Sequence, residues 1–314
     1  MIVDYSEDVT NIEVGDGTFV HMVHSHVPGE NRPLVVIPPQ FEKTARTNLT
    51  TTLFLLNNGL NVVRYDNRNH NGNSSGDIVD FTLTGAVEDI GHVMAHVATD
   101  PRIDAERVGI LGVSIASRAV LEYLAATGAS IDAFVSLVGV VNMERTLEAI
   151  TGDDYVGAKR ANPAVTLGCR KVINHVVDWD NFGSDLLASA MDSMSGTRRA
   201  IAALGTPTHL IVGEKDPWVA MEDVRDVFHD APAVVNRYVL PGSGHELYKN
   251  PESAKTAIRT ITQTFRQVWG LGIDPLVEPD MTEVVLQNAK ERARERAHRT
   301  NRGARGETHP QPGK

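Results

Sequence analysis

The chain is short of several things, and each shortage narrows what it can be. It has one cysteine, Cys169, among 314 residues. No internal disulfide framework is therefore available, and a reducing compartment, the cytoplasm, is expected. In that setting the sequons at Asn48 and Asn73 are chance matches. No apolar run approaches the roughly 18 residues of a membrane span. The opening stretch is acidic and lacks the basic-then-apolar layout of a secretory signal. Neither a GxGxxG nor a P-loop occurs, so no nucleotide cofactor is implied. No cluster has recognisable zinc spacing, and no metal is expected. Positive charge is scarce too. The formal net charge of −10 argues against nonspecific nucleic-acid binding by the whole protein. What basic charge there is gathers at the end, where residues 290–314 hold eight Lys/Arg against three acids. The expected form of this tail is a solvated helix running into disorder, with docking to an acidic partner as the alternative.

Hydrophobic residues make up 41% of the chain, enough to bury a substantial core. Strand patterns fall at 11–14, 19–24, 34–37, 61–65, 107–112, 133–138, 209–212 and 234–240. The first two form a hairpin around Gly15-Asp16-Gly17. Later strands alternate with helical patterns such as 84–98 and 115–126. That rhythm predicts an α/β fold, a mostly parallel eight-stranded sheet with helices on both faces. About seventy residues between the sixth and seventh strands break the rhythm, with a helix expected over 182–194. Long insertions in such sheets lie over the carboxyl ends of the strands. The expected organisation is a first core segment over 1–144, a cap over 145–205, a second core segment over 206–280, and a charged C-terminal helix with a disordered tail over 281–314.

The central chemical signal is Gly112-Val113-Ser114-Ile115-Ala116, with an apolar strand before it and an apolar helix after it. That is the layout of a nucleophile elbow, with Ser114 on a strained strand-to-helix turn between small neighbours. A plain helix N-cap is the competing role for this serine. A serine hydroxyl needs a base, and in an α/β-hydrolase fold the chain order is Ser, then Asp or Glu, then His, each after a strand. Asp216 follows the strand at 209–212, and His245 follows the strand at 234–240 through Gly242-Ser243-Gly244. Glu214 competes with Asp216, whereas Asp223 and Asp226 fall on the next helix. His209 is a strand residue and His229 ends a helical pattern, so neither occupies the third position. Backbone N–H groups are expected to form an oxyanion hole. One is that of Ile115; the other belongs to Phe41, with Gln40 as the alternative, because Pro38 and Pro39 have no N–H to give. Asp66 and His70 could be taken for metal ligands, but a hydrogen-bonded loop after a strand accounts for that polar stretch better.

At these residues the chain resembles the acyl transferases of bacterial bioluminescence, which are members of the α/β-hydrolase superfamily. The likeness runs through Val63-Arg64-Tyr65-Asp66, His70, Ser74-Ser75-Gly76 and Asp80-Phe81-Thr82-Leu83-Thr84. It continues through the whole stretch 139–148, Asp216-Pro217-Trp218-Val219, Gly242-Ser243-Gly244-His245 and Glu278-Pro279-Asp280-Met281, almost end to end. Pro38-Pro39-Gln40-Phe41 departs from the small-residue and glycine version of that loop in the family. The resemblance implies that Ser114, Asp216 and His245 match the catalytic positions one by one. It also implies a substrate that is a fatty-acyl thioester, carried by coenzyme A or by an acyl carrier protein as partner. The expected reaction is acyl transfer or hydrolysis through an acyl-Ser114 intermediate. The alternatives are a carboxylesterase or lactonase acting on small oxygen esters, editing or offloading of acyl chains in natural-product biosynthesis, and a noncatalytic binding protein built on the same fold.

Overall fold

Gly15-Asp16-Gly17 turns the chain back on itself, so that β1 (Ser6–Gly15) and β2 (Thr18–His26) pair antiparallel. β3 (Leu34–Ile37), α1 (Leu49–Asn57) and β4 (Asn61–Tyr65) follow. Then come α2 (Leu83–Val97), β5 (Val108–Val113), α3 (Ile115–Thr127) and β6 (Ala133–Leu137). The computed structural model describes residues 2–280 together with 282, 284–286 and 289. After a long insertion the chain resumes with β9 (Thr208–Gly213), α8 (Met221–Val227), β10 (Val234–Leu240) and α9 (Pro251–Val268).

Eight of these strands form one sheet in the order β1-β2-β4-β3-β5-β6-β9-β10. Every pairing from β4 to β10 is parallel, and only β1–β2 and β2–β4 are antiparallel. The expected mostly parallel eight-stranded sheet is thus present. Its central strands β3, β4, β5 and β6 are buried along their whole length, as strands covered on both faces must be. Successive side chains take opposite faces. Val36, Val63, Ile110 and Phe134 join the core built with α2 and α3. Their neighbours Val35, Val62, Leu111 and Val135 join the core built with α1 and α9. Each such side chain contributes roughly 1.5–3 kcal/mol by leaving water. The sheet is therefore a rigid platform, and its carboxyl ends can hold loops in fixed relation.

The insertion between β6 and β9 contains α4 (Met143–Thr151), α5 (Tyr155–Ala161), the antiparallel pair β7 (Cys169–Val172) and β8 (His175–Asp178), α6 (Trp179–Ala188) and α7 (Met194–Ala202). The single helix expected over 182–194 is instead the end of α6, a break, and the start of α7. The break lies at Ala190, whose φ of 53° no helix accommodates. Asp185 of α6 accepts hydrogen bonds from the N–H groups of Leu83 and Thr84 at 2.9 and 3.1 Å, which caps α2 and ties the insertion to the sheet's helices. Among the described residues no helix is long and apolar enough to cross a membrane. The charged helix and tail expected over 281–314 lie outside the described residues, apart from 282, 284–286 and 289, where Val284 is buried with Leu49, Leu53 and Leu56.

Candidate active site

β5 delivers Ser114 to the carboxyl edge of the sheet. Ser114 has φ 56° and ψ −126°, a conformation that non-glycine residues rarely hold and that costs of order 1–3 kcal/mol. Its surroundings fix it there. The Ser114 N–H donates to Leu137 O at 3.0 Å, and its carbonyl accepts from Val140 N–H at 3.2 Å. Gly112 makes the sharp turn possible. A Cβ at that position would lie 2.8 Å from the Cα of Ser117, so only glycine lets α3 approach β5 this closely. Ser114 stands at the N-cap position of α3, yet its side chain makes no capping hydrogen bond. Its hydroxyl turns away from the helix.

That hydroxyl meets a histidine. Ser114 Oγ lies 2.7 Å from His245 Nε2, and His245 Nδ1 lies 2.8 Å from Asp216 Oδ2. An ionised carboxylate can only accept, so Nδ1 carries the ring proton and Nε2 is free to accept from the hydroxyl. The other Asp216 oxygen, Oδ1, accepts from the N–H groups of Trp218 and Val219, each at 2.9 Å. The carboxylate is thereby aimed at the imidazole. Both side chains are shielded from water, 6% exposed for His245 and 1% for Asp216. Trp218 packs against the imidazole with ring centroids 4.6 Å apart. The competing residues have other tasks. Glu214 accepts from Gly242 N–H at 2.7 Å and anchors the loop that carries His245. His209 is buried in β9 with Asn236 as its partner, and His229 is paired with Asp230. Asp223 lies on α8 and binds Asn142 and Arg145, and Asp226 on the same helix is paired with Arg198.

Ser114 opens into a cavity of about 280 Å³. Much of its wall is apolar: Leu111, Val113 and Leu137 from the sheet, Val138 just after β6, and Ala254, Ala257, Ile258 and Ile261 from α9. The cavity therefore runs between the sheet and α9. From the segment 145–205 only Ile173, at the tip of the β7–β8 hairpin, reaches it. Asn174 and His175 beside that tip approach Glu42 Oε2 and the Asn71 side chain at 3.1 and 3.0 Å. Burial works against the Glu42 charge, but the Lys43 ammonium and the Asn174 amide hold its carboxyl below the usual range.

Gln40 and Phe41 both line this cavity beside Ser114. Among the described residues, none accepts a hydrogen bond from the N–H of Gln40, Phe41 or Ile115. These amides are available to a ligand. The adjacent Glu42 amide is not, because it donates to His70 Nε2 at 3.0 Å. His70 is buried and sets its ring edge-on to Phe41, with centroids 5.8 Å apart. Burial above all, helped by the charge of His175, pushes the His70 ring down to about 4. A protonated ring would also present an N–H to the Glu42 N–H. Asp66 accepts from the N–H groups of Ala45 and Asn73 at 2.7 and 2.8 Å, so its loop is hydrogen-bonded as expected. The support that His70 gives the loop after β3 is absent from the sequence reading. Its partner stands 28 residues away, and no spacing rule connects them. The α9 wall was equally hidden, since its small and branched residues look like any amphipathic helix.

Comparison with known proteins places this geometry in context. A family model described as acyl transferase matches residues 12–297. An acyl transferase of Vibrio campbellii is 26% identical over 289 residues, covering 90% of this chain and 92% of that protein. Among solved structures, the chain is similar to DcsB in complex with its substrate analogue, with a TM-score of 0.66 at 15% identity, covering 83% of this chain and 99% of that one. It is also similar to Est1E from Butyrivibrio proteoclasticus with bound ferulic acid, with a TM-score of 0.64 at 15% identity, covering 84% and 99%. At such identities these structural likenesses establish the shared α/β-hydrolase fold.

Proposed function

This chain belongs to the acyl transferase family, and from that premise we propose that it moves a fatty-acyl group from a thioester through a covalent acyl-Ser114 ester. His245 Nε2 takes the hydroxyl proton as Ser114 Oγ attacks the thioester carbonyl carbon. Asp216 holds the imidazole in the required tautomer and stabilises the imidazolium. The N–H groups of Ile115 and of Phe41 or Gln40 stabilise the oxyanion, each donor contributing about 3–4 kcal/mol in the transition state. Collapse of the intermediate breaks the C–S bond, and the imidazolium returns its proton to the leaving thiolate. Water or another acceptor, deprotonated in turn by His245, then attacks the acyl-serine carbonyl and restores the free hydroxyl.

The observation that carries this reading is the unbroken line of hydrogen bonds from Asp216 through His245 to Ser114 at one end of an apolar cavity. That cavity supports a long hydrocarbon chain rather than a small polar acid. The segment 145–205 acts in this scheme as a cap, with Ile173 closing over the acyl chain. The thiol half, coenzyme A or a carrier protein in the cytoplasm, remains outside.

The test is steady-state thiol release from a long-chain acyl thioester. Ser114→Ala is expected to lose more than about a thousandfold in kcat, the scale on which a serine nucleophile counts. Wild-type rates in Ser114→Ala would refute the serine route. Rapid turnover of short p-nitrophenyl esters with none of long thioesters would move the protein to the esterase reading.

A further inference from the structure

Away from Ser114, β1 and β2 bring together three side chains that carry metal-binding atoms. His24 and His26 stand two apart on β2, so their side chains leave the same face. Asp8 lies directly across from His24 in the antiparallel register. One ligand atom from each of the three falls within 4.8 Å of the others. Asp8 Oδ2 is 3.1 Å from His26 Nε2, close to the separation of two ligands that each bind one ion at roughly 2.0–2.2 Å.

A second, independent observation is His24 itself. Its side chain is fully buried, and neither ring nitrogen has a hydrogen-bond partner among the described residues. An unmet buried polar atom costs roughly 1–3 kcal/mol, and native folds rarely leave one without a purpose.

We infer that Asp8, His24 and His26 bind one divalent transition-metal ion, and that this ion fastens the edge strand β1 to the sheet. Two imidazoles and a carboxylate form a donor set suited to zinc, with a remaining position for water. Arg102 Nη1 also donates to Asp8 Oδ2 at 3.0 Å, but it does not bar the site. Asp100 holds the same guanidinium through Nε and Nη2, so Arg102 stays paired when Asp8 turns to the ion. His96 is directed to Asp100 at 3.4 Å. β2 lies three strands from β5, roughly 14 Å at the usual strand spacing, so the ion is structural and takes no part in acyl transfer. Local sequence spacing conceals the set because its members come from two strands joined only by pairing.

The full-length protein, stripped with a chelator, is titrated with zinc alone while bound metal and thermal unfolding are followed. One equivalent is expected to bind with a rise in Tm that magnesium does not produce. Cobalt in its place should give the visible ligand-field bands of a four- or five-coordinate ion. His24→Ala could fail to fold, so the deciding variants are Asp8→Asn and His26→Gln, whose side chains are 36% and 21% exposed. Each should weaken binding by more than the 10–100-fold typical of losing an outer-shell partner, whereas Cys169→Ser should leave it unchanged. Absence of a bound equivalent, or zinc binding that persists in both deciding variants, overturns the proposal whatever Ser114 does.

Discussion

At the scale of single residues, His70 shows how a side chain outside the chemistry can govern it. By accepting the Glu42 N–H and packing on Phe41, it holds the loop proposed to offer the second oxyanion donor. His70→Phe keeps an aromatic ring there but removes the acceptor. The loop should then drift, lowering kcat by roughly 10–100-fold with little change in KM, short of the 10²–10³ that loss of a whole donor costs. The same residue sets a pH dependence. His70 stays unprotonated down to about 4 in the folded protein, against 6.5 for the free side chain. Between those values the unfolded chain binds the extra proton, so stability is full above about 6.5 and declines as the pH falls toward 4. Tm measured across that window should fall less steeply in His70→Phe than in the wild type, because one such group is gone. Parallel profiles, or a KM effect without a kcat effect, would remove His70 from the positioning of this loop.

Among the elements, α9 has the most to say about specificity. Ala254, Ala257, Ile258 and Ile261 form a stripe along one side of it, roughly 10 Å of helix facing the cavity. Each methylene buried there contributes about 0.8 kcal/mol, or about fourfold in kcat/KM. Rates on acyl thioesters of increasing length should climb by that factor until the cavity is filled. Ala257→Phe should move the plateau to shorter chains and leave the shortest substrates nearly untouched. An unchanged optimum in that variant would mean that the acyl chain lies elsewhere. The sheet elements were legible in the sequence because strands covered on both faces become continuous apolar runs, as at 34–37 and 108–113. The β7–β8 hairpin was not, since Cys169, Arg170 and Lys171 are exposed and carry no alternation. The break between α6 and α7 also escaped notice, because neither proline nor glycine marks it. The close approach is local but displaced: a Cβ at Gly196 would sit 1.8 Å from the Ala190 carbonyl, so the glycine that allows the break lies six residues further on.

For the molecule as a whole, the reach of the sequence follows from topology. Ser114, Asp216 and His245 are far apart in the chain, but each follows a strand of the parallel sheet, and such sheets gather their loops at the carboxyl edge. Residues joined to the sheet in this regular way can be expected from sequence to meet, and Ser114, His245 and Asp216 do meet. The support from His70, the wall made by α9 and the Asp8–His24–His26 cluster arise from contacts between elements, and these required the folded chain. Twenty-six per cent identity to the Vibrio acyl transferase, extending over nine-tenths of the chain, accords with a shared framework and leaves substrate choice to the cavity walls. The most direct measurement mixes the protein with a long-chain acyl thioester, quenches within the first turnovers and weighs the intact protein and its peptides. One added acyl group on the peptide containing Ser114, absent in Ser114→Ala, is the expected result. Turnover that proceeds with no adduct in the wild type and continues undiminished in Ser114→Ala would contradict an acyl-serine pathway.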